Sequence, residues 1–502
     1  MNQLLNGLID ATNYELTENG AITHRTTKSN LLDMFAMGGA MRNRPDEDVI
    51  LMFRKAFVEN PVYALKCLFY LRDIRGGQGE RRFFRVCIRD LASLDPDAVK
   101  RNLELIPEYG RWDDLYCLVG TPLEEDAMSF FKRQLALDLT CKTPSLLAKW
   151  LKSENTSSME TRKLANITRK YLGLNHKQYR KILSTLRKRI NVLERLMSAG
   201  EWDKIEFDKI PSKAGLIYKN AFARHDIERM KKDAEVQSYA DFAKDTTKKV
   251  NAEVLNPVDI AHQIFNTWNP SDTDRAIWDK YWANLKDYYN GRKENGIAIC
   301  DVSGSMTGVP MEAAVSMSAY IAERGKGPFK DHFITFSSNP ALVKFEGVDT
   351  FDKFQRACRA DWGMNTNIEA AMDLLLNTAL INKVPKEEMP EVLYIFSDME
   401  FDRCMTCGAT SRDRWGYDVQ RVSNPNTLFE TLEKRWIDNG YEMPRVIFWN
   451  LDARHENIPA LGGRFSYVSG FSMNMVEQIL SGKDGYDLMM EKLNTNRYAP
   501  IH

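Results

Sequence analysis

A chain of 502 residues with 69 Lys and Arg against 69 Asp and Glu carries no formal net charge, so a uniformly basic nucleic-acid binder and an acidic disordered chain are both excluded. The length exceeds what one hydrophobic core normally supports and calls for more than one domain. No apolar run approaches the roughly 18 residues that cross a bilayer, and the start MNQLLNGLIDATNYELTENG lacks a basic-then-apolar signal pattern, so a soluble, cytoplasmic protein without membrane partners is expected.

In chain order, residues 1–290 read almost wholly as helices: Asp46–Glu59, Pro61–Asp73, Gly79–Leu91, Glu124–Asp138 and Tyr179–Met197 all carry apolar residues at three- and four-residue steps. Asn60-Pro61 and Thr143-Pro144 place a capping side chain ahead of a helix-starting proline. Gly76-Gly77-Gln78-Gly79 reads as a flexible connector, since the Lys-Ser/Thr ending of a phosphate-binding P-loop is absent. Trp112-Asp113-Asp114 reads as a helix start, its acids near the positive end of the helix dipole. Successive helix pairs joined by short turns predict a HEAT-like repeat, with a helical bundle as the alternative.

Residues 161–190 hold ten cations and no acid: Arg162, Lys163, Arg169, Lys170, Lys177, Arg180, Lys181, Arg187, Lys188 and Arg189. Tyr171, His176 and Tyr179 are interleaved with them, available either to stack on bases or to pack in a core. Such a local field attracts phosphate backbones, and it equally fits the wet faces of two helices lying on buried Leu and Ile. Arg75, Arg81 and Arg82, in a second group that also includes Arg72, Arg85 and Arg89, extend the candidate nucleic-acid surface.

From 295 onward the pattern changes. Gly296–Asp301 and 392–396 are continuous apolar runs typical of buried parallel strands, and helical patterns follow at about 309–325 and 367–381. Asp301, Ser303 and Ser305 (DVSGS), Thr366 and Asp398 stand beside these runs and offer only hard oxygen ligands. Two carboxylates with three hydroxyls suit Mg²⁺, with Mn²⁺ or Ca²⁺ as alternatives, and leave a position for a partner's acidic oxygen. Glu400 and Asp402, just beyond, either compete for that position or belong to a solvated loop.

The other constellations carry no chemistry. Cys404-Met-Thr-Cys407 has metal spacing but supplies two of the four ligands that structural zinc needs. The remaining cysteines, at 67, 87, 117, 141, 300 and 358, are scattered as reduced thiols are, not as a disulfide framework. With no catalytic set in sight, the protein is expected not to be an enzyme.

The order Asp-x-Ser-x-Ser, Thr, Asp across strand ends resembles the metal-ion-dependent adhesion site (MIDAS) of von Willebrand factor A domains, over roughly 295–485. That resemblance implies that Asp301, Ser303, Ser305, Thr366 and Asp398 bind the ion, with a glycine common in relatives where this chain has Met399. A helical half followed by an A domain resembles the Ro (TROVE) ring proteins. For them the helices close into a ring against the A domain, single-stranded RNA ends pass through it, and small noncoding RNA binds its basic outer surface. YLRDIRGGQGERRFF, YGRWDDL, LLAKWLKSEN and FWNLDAR resemble more closely a family of plants, fungi, large viruses and phages with the same two-part plan. The expected division is a helical domain at 1–290, an α/β A-type domain (Rossmann-like, doubly wound) at 295–485 and a tail at 486–502. The expected function is holding of single-stranded, misfolded or noncoding RNA, with metal-dependent ring closure or partner docking, in the host cytoplasm if the protein is viral. The alternative is a protein adaptor that captures an acidic partner residue at the metal and binds no RNA.

Overall fold

The structure, a computed structural model, describes residues 12–232, 235–336, 340–359, 367–402, 411–412, 418–419, 427–483 and 485–502. The chain forms two compact units. One joins the chain up to Cys67, Asn256–Pro270 and Leu285–Thr495; the other joins Leu68–Leu255, Ser271–Asn284 and Asn496–His502.

The first unit is built on a sheet. A short antiparallel hairpin, β1 (Tyr14–Leu16) and β2 (Ile22–His24), precedes six strands: β3 (Gly296–Asp301), β4 (His332–Phe336), β5 (Ala341–Lys344), β6 (Val392–Ser397), β7 (Arg445–Asn450) and β8 (Phe465–Ser469). Their order is β8-β7-β6-β3-β4-β5, parallel except for β5, which runs antiparallel on the edge. From β3 the chain builds outward through β4 and β5, then crosses back to β6, so the order reverses between β3 and β6. Ligands bind at such reversals, outside the carboxyl ends of the strands. Every residue of β6 is buried, as its unbroken apolar run requires with both faces covered. The helix Val309–Arg324, buried continuously from Ala313 to Ala322, packs on β3, β4 and β6. Helices Ile368–Asn382 and Leu428–Asp438 are joined by Arg435, which donates to Glu369 at 2.7 Å and Asp373 at 2.6 Å.

The N-terminal segment was expected to start the helical domain, yet it belongs to the sheet unit. Helix Asn30–Met37, buried from Leu31 to Met37, packs against β7, β8 and the helix Asp46–Glu59, its buried Asp33 accepting from the Thr27 N–H at 2.7 Å and the Thr27 hydroxyl at 2.6 Å. Gly39 follows where no side chain fits: a Cβ there would stand 2.7 Å from the Ser469 carbonyl oxygen at the end of β8. Its N–H instead donates to Ser469 Oγ at 2.9 Å. Strand β2 joins the loop after β7, His24 and Ile458 exchanging backbone hydrogen bonds of 2.9 Å in both directions.

The second unit is helical, with the short-turn succession expected of a HEAT-like repeat. Its longer helices are Arg82–Leu94, Glu124–Thr140, Met159–Tyr171, His176–Arg189, Ser212–Lys232 and Asp272–Ala283. The helix expected at Tyr179–Met197 breaks after Arg189: Asn191 turns left-handed at φ 49° and a new helix starts at Leu193. Trp112–Leu118 is a 3₁₀ segment whose acids serve cations. Asp114, fully buried, accepts from Arg72 Nε at 2.8 Å and from Arg85 Nε at 2.7 Å, while Asp113 pairs with Arg111 at 3.0 Å. Residues 496–502 are no loose tail. Tyr498 is buried, its hydroxyl donates to Asp73 at 3.1 Å, and Arg497 Nη2 donates to the same carboxylate at 2.6 Å.

Candidate metal centre and nucleic-acid interface

Asp301 closes β3 and Asp398 follows β6 on the neighbouring parallel strand, where Cys300 stands opposite Phe396. Both carboxylates are buried. Asp301 accepts the Ser303 N–H at 2.9 Å on one oxygen and the Ser397 hydroxyl at 2.5 Å on the other. The hydroxyls of Ser303 and Ser305 lie 3.0 Å apart. Four of the five expected ligands are thus placed at the carboxyl edge of the sheet; Thr366 lies outside the described residues, as do Cys404 and Cys407. Burial, and then the charge of Asp398, push the Asp301 carboxyl up to about 7.

Two details explain residues 398–402. Met399 is buried with φ +66°, in the left-handed region that glycine occupies freely and a side chain rarely adopts. Glu400, expected either to compete for the candidate cation or to lie in a solvated loop, is already engaged. It is fully buried, accepting from the Glu18 N–H at 2.7 Å, His455 at 2.7 Å and Asn457 at 2.8 Å. Thr17 Oγ1 donates to the Phe401 carbonyl at 2.7 Å and Asn19 Nδ2 to the Glu400 carbonyl at 2.6 Å, so the β1–β2 hairpin is clasped to this loop. Ligand atoms of Glu18, Glu400 and His455 fall within 4.8 Å of one another, but these bonds account for the cluster without an ion.

Sequence reasoning missed Arg454. Its Nη2 donates to Asp398 at 2.9 Å, and its Nη1 pairs with Glu18 at 2.9 Å. Burial alone would lower the pKa of this guanidinium, and the surrounding Asp398, Glu18 and Glu400 charges outweigh it and raise it. Asn450, the last residue of β7, was also missed. It stands opposite Ser397, and register partners here share a face, as the Phe396 and Trp449 rings one step back show with centroids 5.3 Å apart. Its Oδ1 is buried without a hydrogen-bond partner. Both residues lie in FWNLDAR, a segment that stood out in the sequence only for its wording. An oxygen-only donor set, a carboxyl pair with its charge only partly compensated and an orphaned buried oxygen together fit a hard divalent cation.

The basic stretch divides into structural and free cations. Arg187 donates to the carbonyls of Ala148 (2.8 Å) and Leu151 (2.9 Å) and to Ser153 Oγ (3.0 Å). Arg189 caps the end of helix Glu124–Thr140 through the carbonyls of Asp138 (2.9 Å) and Leu139 (3.2 Å), and Arg169 pairs with Glu154 at 2.9 Å. Tyr179 is core, its hydroxyl donating to the Lys152 carbonyl at 2.7 Å, and His176 pairs with Glu154 at 2.8 Å; Tyr171 is exposed. By contrast Arg162, Lys163, Lys170, Lys177, Arg180, Lys181 and Lys188 are exposed, and none makes an ion pair among the described residues. Of the earlier group, Arg72 and Arg85 are absorbed by Asp114, and Arg89 binds the carbonyls of Cys117 and Val119 at 2.9 Å. Arg75 is exposed and donates to the Glu108 carbonyl at 3.0 Å, Arg82 is half-buried, and Arg81 is exposed beside Arg111, Arg85 and Arg72. No helix among the described residues is long and apolar enough to cross a membrane.

Comparison with known proteins agrees with the two-part plan. The model "Domain of unknown function (DUF2828)" matches residues 17–142 and 133–288, and "Domain of unknown function (DUF7788)" matches 295–498. Uncharacterized protein L728 of Acanthamoeba polyphaga mimivirus is 31% identical over 512 residues, covering 94% of this chain and 85% of that protein. The crystal structure of the Deinococcus radiodurans RO (RSR) protein aligns over 93% of this chain and 99% of its own at 13% identity, with a TM-score of 0.49. The chain therefore belongs to the DUF2828 family.

Proposed function

We propose that this protein holds RNA, single-stranded or of a misfolded or noncoding kind, on its helical unit, and that its A-type domain binds a divalent cation to dock a protein partner. The observation that carries the first half is the outer face of the helix His176–Arg189. Lys177, Arg180, Lys181 and Lys188 recur on it at one-turn spacing with the hydroxyls of Ser184 and Thr185 between them, all exposed and with no acid on the helix. In a chain of zero net charge, this is a concentrated field suited to a phosphate backbone, and the exposed Lys170 and Tyr171 add a cation and an aromatic beside it. The protein acts by binding and not by catalysis.

The test is anisotropy titration of a labelled single-stranded RNA across salt concentrations, comparing the native protein with the Lys177→Glu, Arg180→Glu, Lys181→Glu, Lys188→Glu variant. Arg187 and Arg189 stay intact because they hold backbone carbonyls. If four phosphate contacts are lost, affinity falls by at least tenfold and the log–log salt slope shrinks by about 3. Salt-independent binding, or equal affinity of the two proteins, refutes the proposal.

The second half rests on Asp301, Ser303, Ser305 and Asp398 meeting at the sheet's carboxyl edge. They would hold Mg²⁺, or Mn²⁺ or Ca²⁺, and the ion would supply a Lewis-acidic position for a partner's carboxylate. Chelation or Asp301→Ala then abolishes partner capture and leaves RNA affinity unchanged. An adaptor that binds no RNA would show the first effect and lack the titration above.

A further inference from the structure

Among the described residues, Arg454 is the cation that touches a candidate metal ligand. Its two terminal nitrogens divide between Asp398, which is fully buried, and Glu18, which is half-exposed on the β1–β2 turn. Its backbone is fixed while its side chain is shared: the Arg454 carbonyl accepts from Arg44 Nη1 at 2.6 Å, and the preceding N–H of Ala453 donates to the Ala40 carbonyl at 3.1 Å. Glu18 is positioned independently of Arg454, since its own N–H is held by the buried Glu400. A guanidinium so placed supplies to Asp398 the positive charge that a divalent ion would supply, and two cations cannot share one carboxylate without repulsion.

We propose that Arg454 is a tethered counter-ion of the cation site, neutralising Asp398 when no divalent ion is bound and passing wholly to Glu18 when one is, so that the N-terminal hairpin sets the site's affinity. The inference rests on the cation reading given above and adds the element that tunes it. Glu18 has a defined part: it keeps the Arg454 charge paired after Asp398 is taken, which favours the metal-bound state. Removing Arg454 and removing Glu18 therefore act in opposite directions. Because the hairpin carries Glu18, any partner that lifts β1–β2 from the Glu400 loop lowers metal affinity, and metal in turn holds the hairpin down, as linkage requires.

The experiment measures Mn²⁺ binding to the full chain by the loss of the free-ion EPR signal, for native protein, Arg454→Met, Glu18→Gln and the double variant, with thermal unfolding in chelator as the check on folding. Arg454→Met is expected to bind Mn²⁺ roughly tenfold or more tighter. Glu18→Gln is expected to bind several-fold weaker, and that weakening is expected to vanish in the Arg454→Met background. Arg454→Lys, which keeps the charge, stays near the native value. Unchanged affinity in Arg454→Met while the native protein binds Mn²⁺ overturns the proposal and leaves the cation site standing. An equal Glu18→Gln effect with and without Arg454 also overturns it, since it shows a simple field and no transfer. Absence of Mn²⁺ binding in both native and Arg454→Met proteins removes the cation reading itself.

Discussion

Met399 offers a sharp test of the site's backbone. It is 1% exposed and left-handed at φ +66°, so two costs oppose each other when it is replaced. Truncation to Ala removes a buried side chain at about 2–5 kcal/mol and leaves the left-handed strain of about 1–2 kcal/mol in place. Glycine loses one further methyl, about 0.8 kcal/mol, and adds about 0.4–1 kcal/mol of unfolded-chain freedom, yet escapes the strain. The terms nearly cancel, so Met399→Gly and Met399→Ala should differ by less than about 0.8 kcal/mol. Met372 is the control: equally buried, but inside the helix Ile368–Asn382, where Gly should fall about 1.5–2 kcal/mol below Ala. Urea unfolding in chelator reads the Gly–Ala gap at each position, and the gaps should differ by about half a molar in midpoint. Equal gaps at 399 and 372 would refute the assignment of strain to the loop beside Asp398.

Two other outcomes follow from buried charge. Asp114→Asn leaves Arg72 buried without its counter-charge and should cost about 3–5 kcal/mol, lowering the unfolding temperature by roughly 10 °C; the paired change Arg72→Met with Asp114→Leu should recover most of it. Asp301 bears on pH: its carboxyl, near 3.8 in the unfolded chain, rises to about 7 in the metal-free fold, so the folded state holds a proton that the unfolded state has lost. The group costs nothing below about pH 4, weakens the fold progressively from about 4 to 7, and does so fully above 7. Because a divalent ion relieves that penalty, Mg²⁺ should raise the unfolding temperature more at about pH 8 than at about pH 5.5, a difference that Asp301→Asn should abolish. An equal rise at the two pH values would contradict the buried-pair account.

The A-type unit was legible where the chain is driven by burial on both faces. Continuous apolar runs at 296–301 and 392–396 can hardly be anything but central strands, and Asp301 and Asp398 at their ends were found because polar residues there break an otherwise apolar rule. The N-terminal hairpin escaped because two three-residue strands carry almost no periodic signal, and helix Asn30–Met37 is only eight residues long and mostly apolar, so little in its pattern marks which partner it buries against. Arg454 and Asn450 were missed for a related reason: the fold brings them to neighbours far away along the chain, Asp398 for Arg454, 56 residues distant, and Ser397 for Asn450, 53 residues distant. In the basic stretch, composition gave the ten cations equal weight, while packing divides them. Arg169, Arg187 and Arg189 are spent on Glu154 and on backbone carbonyls, which only the fold supplies.

The clasp between the hairpin and the Glu400 loop also dictates a timetable for biosynthesis. Glu18 and Glu400 are 382 residues apart, so at about 5–20 residues per second the N-terminal segment leaves the ribosome roughly 20–80 seconds before its receptor exists. Through that interval Leu31, Leu32, Met34, Phe35 and Met37 have only the helix Asp46–Glu59 to pack against, and the rest of their native surface, on β7 and β8, is still to be made. A recombinant fragment beginning near residue 295 would fail for the mirror reason: it would present the ends of β7 and β8, and residues 398–402, stripped of the segment that packs on them.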